Sequence, residues 1–152
     1  MQNIRDFMAG EHRHCDQVFV DAERALAAQD WDGAIATFSR FQTLTLQHFL
    51  AEESLLFPAF EEKTGMRRGP TEVMRAEHVQ IRQLIGAARE ALLSRDADDF
   101  SGYAETLLIM LQQHNMKEEN VLYPMCDQRL SEQSTLLPQL KEMMQGPGGG
   151  RS

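Results

Sequence analysis

Cysteine is scarce in this 152-residue chain, and the two present, Cys15 and Cys126, are too few and too far apart in sequence for a cysteine-type zinc site or a secreted disulfide framework. They are expected to serve as small buried hydrophobes. Basic clusters are equally scarce. None exceeds Met66-Arg67-Arg68, and with a net charge of −8 and a pI near 5.1 the chain is a poor match for nucleic acid or an anionic membrane surface. No apolar run follows the opening Met1-Gln2-Asn3-Ile4-Arg5-Asp6, so neither a signal peptide nor a membrane span is expected, and a cytoplasmic address follows. Strand-type alternation is missing throughout. So are a serine or cysteine catalytic triad, a phosphate-binding glycine loop and a dinucleotide fingerprint.

Helical periodicity is what the chain has instead. Apolar residues keep a helical period from Ile4 to about Ala28, and Asp30 offers an N-cap for a second segment running from Trp31 to about Glu62, which Gly65 closes. A third helix is expected from about Thr71, behind Pro70, and a fourth from near Asp98. A shorter amphipathic stretch, about Ser131 to Met144, would expose Leu136, Leu137, Leu140 and Met143 as a face for a homodimer. The expected fold is all-α: an up-down-up-down four-helix bundle with an additional short C-terminal helix. Residues 1–145 form its single domain, and 146–152 a flexible Gly-rich tail.

The histidines add an internal repeat. His12, His48 and Glu52 recur as His78, His114 and Glu118, each sixty-six residues later, and the run from Glu52 to Pro58 recurs from Glu118 to Pro124. If each pair of helices folds as an antiparallel hairpin, His12 lies about seventeen residues before its turn, and His48 and Glu52 about seventeen to twenty after it; the second half does the same. All six side chains then share one layer. Within each His-x-x-x-Glu the spacing of four places both side chains on one helix face. Four imidazoles and two carboxylates around one cavity can hold two metal ions, with the carboxylates bridging and some positions left for water or substrate. The mixture of nitrogen and oxygen points first to iron, with zinc or manganese as substitutes.

Other residues near this layer carry expectations of their own. Asp16 is a candidate third carboxylate or hydrogen-bond acceptor beside the site, with a pairing to its repeat mate Arg82 as the alternative. Glu11, Gln47, Glu77 and Gln113 each precede a histidine and can orient an imidazole of a neighbouring helix. Glu53 and Glu119 are expected at the solvent face or as caps, with a role as auxiliary carboxylates as the alternative, and His14 as exposed. Met8 and Met74, one turn before His12 and His78, form either an apolar lid or floor or ordinary core. Tyr123 and its mate Phe57 are expected to pack in the core, with ligation by Tyr123 or Tyr103 as the alternative. Pro58 and Pro124 should kink or end their helices. Cys15 and Cys126 lie at levels roughly 20 Å apart, which excludes a disulfide.

The combined pattern, His…His-x-x-x-Glu twice over with Glu-Glu-x-x-Leu-Phe/Tyr-Pro after each second histidine, resembles the hemerythrin-like family, the HHE cation-binding domain, over about residues 4–130. The resemblance implies His12, His48, Glu52, His78, His114 and Glu118 as ligands of two iron ions bridged by the two glutamates and by an oxo or hydroxo group. It implies a small ligand (dioxygen, nitric oxide or peroxide) and a role in oxygen or nitric-oxide response, detoxification or iron handling. A peroxidase- or catalase-like diiron enzyme and an iron-storage or structural metal protein are the alternatives. Oxygen-carrying hemerythrins have a fifth histidine where this chain has Met74, and a thioether is a poor ligand for a hard iron ion.

Overall fold

The computed structural model describes residues 2–146; of the tail expected over 146–152, residues 147–152 lie outside them. Four long helices make two antiparallel hairpins. Helix α1 (Ile4–Ala27) packs on α2 (Trp31–Ala51), α4 (Pro70–Leu93) packs on α5 (Ala97–Lys117), and α2 lies against α4. Both hairpins turn in the same way. Gln29 and Arg95, repeat mates, take left-handed backbone (φ 59° and 54°), and the residue after each, Asp30 or Asp96, caps the next helix by accepting from Gly33 N or Asp99 N at 3.0 Å.

Each second helix of a hairpin continues past its lower end through a wider π turn. Glu52–Leu56 leads into α3 (Phe57–Thr64), and Glu118–Leu122 leads into α6 (Tyr123–Arg129). The prolines were expected to kink or end these helices; the helices continue through them. Pro58 and Pro124 have no N–H, and in a regular helix their rings would crowd the carbonyl four residues back. The π turn relieves both problems: the N–H of Phe57 bonds Glu52 O, and that of Tyr123 bonds Glu118 O, one residue further back than in an α-helix. Gly65 closes α3 in the left-handed conformation (φ 73°).

Helix α7 (Leu136–Gln145) starts later than its apolar pattern suggested, because residues 131–135 are turn, with Gln133 N donating to Leu130 O. Its stripe is also turned the other way from expectation. Leu136, Leu140 and Met144 are buried in the chain's own core, and Leu137 and Met143 pack partly against it. The N-terminus of α1 is tied to α6 by Asp127, whose carboxylate accepts from Ile4 N at 2.8 Å and Arg5 N at 3.1 Å.

Two apolar clusters fill the bundle. One lies toward the hairpin turns and is centred on Phe19, Phe38, Phe41, Ile81 and Phe100; the other lies toward α3, α6 and α7 and includes Met8, Leu56, Phe57, Phe60, Met74 and Leu122. Met8 and Met74 are therefore core residues on the side of α3, α6 and α7. The histidine layer falls between the clusters. Among the described residues no helix is long and apolar enough to cross a membrane.

Candidate metal centre

The hairpin geometry brings all six expected side chains into one buried layer. His12 and His48 are 5 % and 3 % exposed, and Glu52, His78, His114 and Glu118 are fully buried. They form two overlapping groups, each with its ligand-type atoms within 4.8 Å of one another: Glu52, His78, His114 and Glu118, and His12, His48 and Glu118. The Nε2 atoms face inward. His12 Nε2 lies 3.2 Å from Glu118 Oε1, His78 Nε2 lies 3.2 Å from Glu52 Oε1, and His114 Nε2 lies 3.3 Å from Glu118 Oε1.

The opposite edge of three rings is held from outside. The Nδ1–H of His12 donates to Glu119 at 2.7 Å, that of His78 to Glu53 at 2.7 Å, and that of His114 to Glu77 at 2.8 Å. This arrangement fixes the tautomer: with Nδ1 protonated, a neutral ring presents the Nε2 lone pair to the cavity, as a metal ligand must. The outer carboxylates are anchored in turn. Arg82 pairs with both oxygens of Glu53, at 3.0 and 2.9 Å, and Lys117 with Glu77. Glu53 and Glu119 are thus partners of the imidazoles, not solvent-facing residues or caps. Arg82 pairs with Glu53 and not with Asp16, since Glu53 stands beside it on the neighbouring helix. Glu77 acts as expected. Gln47 and Gln113 lie at the surface, and His14 is half-buried where exposure was expected. His48 departs from the rule, because its Nδ1 is buried without a hydrogen-bond partner.

Tyr123 packs in the core as expected, but sequence spacing missed where its hydroxyl reaches. At about 100° per residue, five residues past Glu118 would point its ring some 140° away on an α-helix. The π turn, whose bonds span five residues, brings it back over Glu118. Its hydroxyl donates to Glu52 Oε2 at 2.6 Å and to Glu118 Oε1 at 2.9 Å, and lies 3.2 and 3.3 Å from the Nε2 atoms of His48 and His12. Tyr103 is 41 % exposed and takes no part. The repeat mate of Tyr123 is Phe57, so the hydroxyl makes the two halves chemically unlike.

The charges of the layer respond to one another. Burial works against a charged imidazole at His12 and His114, yet Glu118, Glu52 and the outer carboxylates outweigh it and push both rings up to about 9. Burial would raise Glu52, but His48, Glu118 and His78 hold its carboxyl well below the usual range. Burial and the two carboxylates hold the Tyr123 phenol well above its ordinary value, which keeps it a hydrogen-bond donor.

These residues fit a cation. His78 Nε2, His114 Nε2, Glu52 Oε1 and Glu118 Oε2 are buried without a hydrogen-bond partner, and all are lone-pair donors facing one space. In the metal-free protein protonated His12 and His114 offset the two buried carboxylates, and a bound cation would take over that charge. Beside His12 and His48 lies a small cavity of about 20 Å³, bordered also by Cys15, Asp16, Thr45 and Asn115. Asp16 borders this cavity at the protein surface, and partial desolvation on its inner side raises its carboxyl despite the opposing pull of His12. Cys15 and Cys126 are both free thiols, as the level argument required.

Among curated proteins the chain is similar to an uncharacterised hemerythrin-like protein of Schizosaccharomyces pombe, 25 % identical over 137 residues, which cover 90 % of this chain and 65 % of that protein. The chain thus spans about two thirds of its relative's length. No solved structure matches it. The hemerythrin HHE cation-binding domain model matches residues 3–126, which hold both hairpins, both π turns and every residue of the histidine layer. The chain belongs to the hemerythrin HHE cation-binding domain family.

Proposed function

We propose that the protein is a non-haem diiron protein that takes up a small ligand, namely dioxygen, nitric oxide or peroxide, in the service of sensing, detoxification or iron handling. His12 and His48 would hold one ion and His78 and His114 the other, with Glu52 and Glu118 supplying the carboxylates. The observation that carries this reading is the convergence of four imidazoles and two buried carboxylates, among which His78 Nε2, His114 Nε2, Glu52 Oε1 and Glu118 Oε2 have no hydrogen-bond partner. Iron suits the mixed imidazole and carboxylate donors, and bound there it supplies redox change and exchangeable positions.

The chain's own groups then set the chemistry. Met74 stands where a fifth histidine would, packed in the apolar cluster below the layer, so the protein offers one imidazole fewer than an oxygen carrier. The Tyr123 phenol acts as a hydrogen-bond donor at the shared carboxylates and not as a ligand. Glu119, Glu53 and Glu77 orient the rings and raise their basicity.

The test is anaerobic iron loading followed by titration with nitric oxide, dioxygen and hydrogen peroxide, followed by absorption. A saturable spectral change with at least one ligand, lost in His114→Ala, is expected. An iron-loaded protein that responds to none of the three contradicts the proposal. Catalytic consumption of peroxide, in place of a stoichiometric response, would move the protein into the enzyme class.

A further inference from the structure

The two halves of the site are closed differently, and the difference lies in three pairs of repeat mates. In the second half the Phe49 ring stacks on His78, with centroids 3.7 Å apart and planes 12° from parallel. Arg82 lies over the outer face of that ring at 5.5 Å. The corresponding residues of the first half are Asn115 and Asp16, which lay no ring on His12 and instead line the small cavity beside it. At the third pair, Leu111 has Thr45 as its mate, and both border this cavity.

Thr45 is 4 % exposed, and its Oγ1 is buried without a hydrogen-bond partner. Helix geometry alone does not explain that. Hydroxyls in helix interiors usually bond the carbonyl four residues back, as Thr43 does to Ser39 O at 3.1 Å, Thr64 to Phe60 O at 2.7 Å and Thr106 to Gly102 O at 3.2 Å. The Thr45 hydroxyl forgoes this bond. A buried hydroxyl left unpaired is destabilising, whereas valine would fill the same volume at no such cost. The cavity, about 20 Å³, has room for a water-sized guest. A surface groove shares His12, Asp16 and Asn115 with it.

We infer that Thr45 is a specificity-determining residue: its hydroxyl donates a hydrogen bond to the outer atom of a di- or triatomic ligand, the atom that enters the cavity beside His12 and His48. This deepens the proposed function and rests on it. The ligand class is a small molecule or anion whose outer atom accepts a hydrogen bond. Asn115 lays no ring on His12, whereas Phe49, which also borders the cavity, lies flat on His78 with Arg82 over it.

Azide, a triatomic anion with an acceptor at each end, is the probe. Wild type, Thr45→Val, Thr45→Ser and Asn115→Phe are loaded with iron, assayed for iron content, and titrated with azide by absorption. Thr45→Val should weaken azide binding about tenfold, the size of one hydrogen bond to a charged group, at unchanged iron content. Thr45→Ser should restore most of the affinity. Asn115→Phe, which copies the closure of the second half onto the first, should keep its iron and bind azide least. Equal affinity of Thr45→Val and wild type at full iron loading overturns the role of Thr45 and leaves the diiron reading intact. Failure of wild type to hold iron overturns both.

Discussion

Tyr123 on α6 donates a 2.6 Å hydrogen bond across the bundle to Glu52 Oε2 on the opposite π turn. With the His12–Glu119 and His78–Glu53 bonds, it joins the two halves of the repeat at the level of the proposed metal centre. Its counterpart cannot exist, because the mate of Tyr123 is Phe57. Replacing Tyr123 with Phe should leave iron content at two per chain while changing the rate or affinity of ligand uptake. The ferric wild type should show no visible tyrosinate-to-iron charge-transfer band. Such a band, lost in Tyr123→Phe, would make the phenol a ligand and reverse the donor role argued above.

The outer carboxylates are expected to matter nearly as much as the ligands. Glu119→Gln and Glu53→Gln each replace a charged acceptor of an imidazole N–H with a neutral one, and should weaken metal binding about 10- to 100-fold. Competition against a chelator measures this. Unchanged affinity in both variants would show that packing alone orients the rings.

The metal-free protein should lose stability as pH rises. Burial lowers His12 and His114, but the surrounding carboxylates outweigh it and raise both from 6.5 to about 9 in the folded state. A raised group stabilises the fold fully below its unfolded value and ceases to do so above its folded one. Melting temperatures of metal-free protein should therefore fall between pH 6.5 and about 9. In iron-loaded protein, with Nε2 occupied by metal, the fall should be absent or reversed.

Asp127→Ala should destabilise the fold without touching the metal. It removes the acceptor of two backbone N–H groups at the start of α1, a capping loss of about 1 kcal/mol. Urea denaturation of iron-loaded protein would register the change, and iron content would stay at the wild-type value.

The bundle and the six-residue layer could be read from the sequence because both rest on regular helical spacing. The repeat fixed the two hairpins, and His-x-x-x-Glu placed ring and carboxylate on one face. Tyr123 could not be placed in the same way, since its position depends on a π turn that regular spacing does not encode. The signal available was Pro124 directly after it, matched by Pro58 in the first half. Glu53 and Glu119 were misplaced for a related reason: each follows a layer residue and points off its own helix face, and only the packing of the neighbouring helix reveals an imidazole there. Both are glutamates in both halves, which was a usable hint. The outward stripe expected of α7 failed because an amphipathic pattern says that a face is covered and leaves open whether a second copy or the chain's own core covers it.

The most direct measurement is iron stoichiometry by metal analysis, on wild type and on Glu118→Ala, after loading with excess ferrous iron and removal of unbound metal. Glu118 belongs to both groups of ligand-type atoms, so its loss should disturb both ions. Two irons per chain in the wild type and fewer than one in the variant is the expected result. One ion or none in the wild type, or two irons retained in the variant, would contradict a diiron centre shared across the repeat.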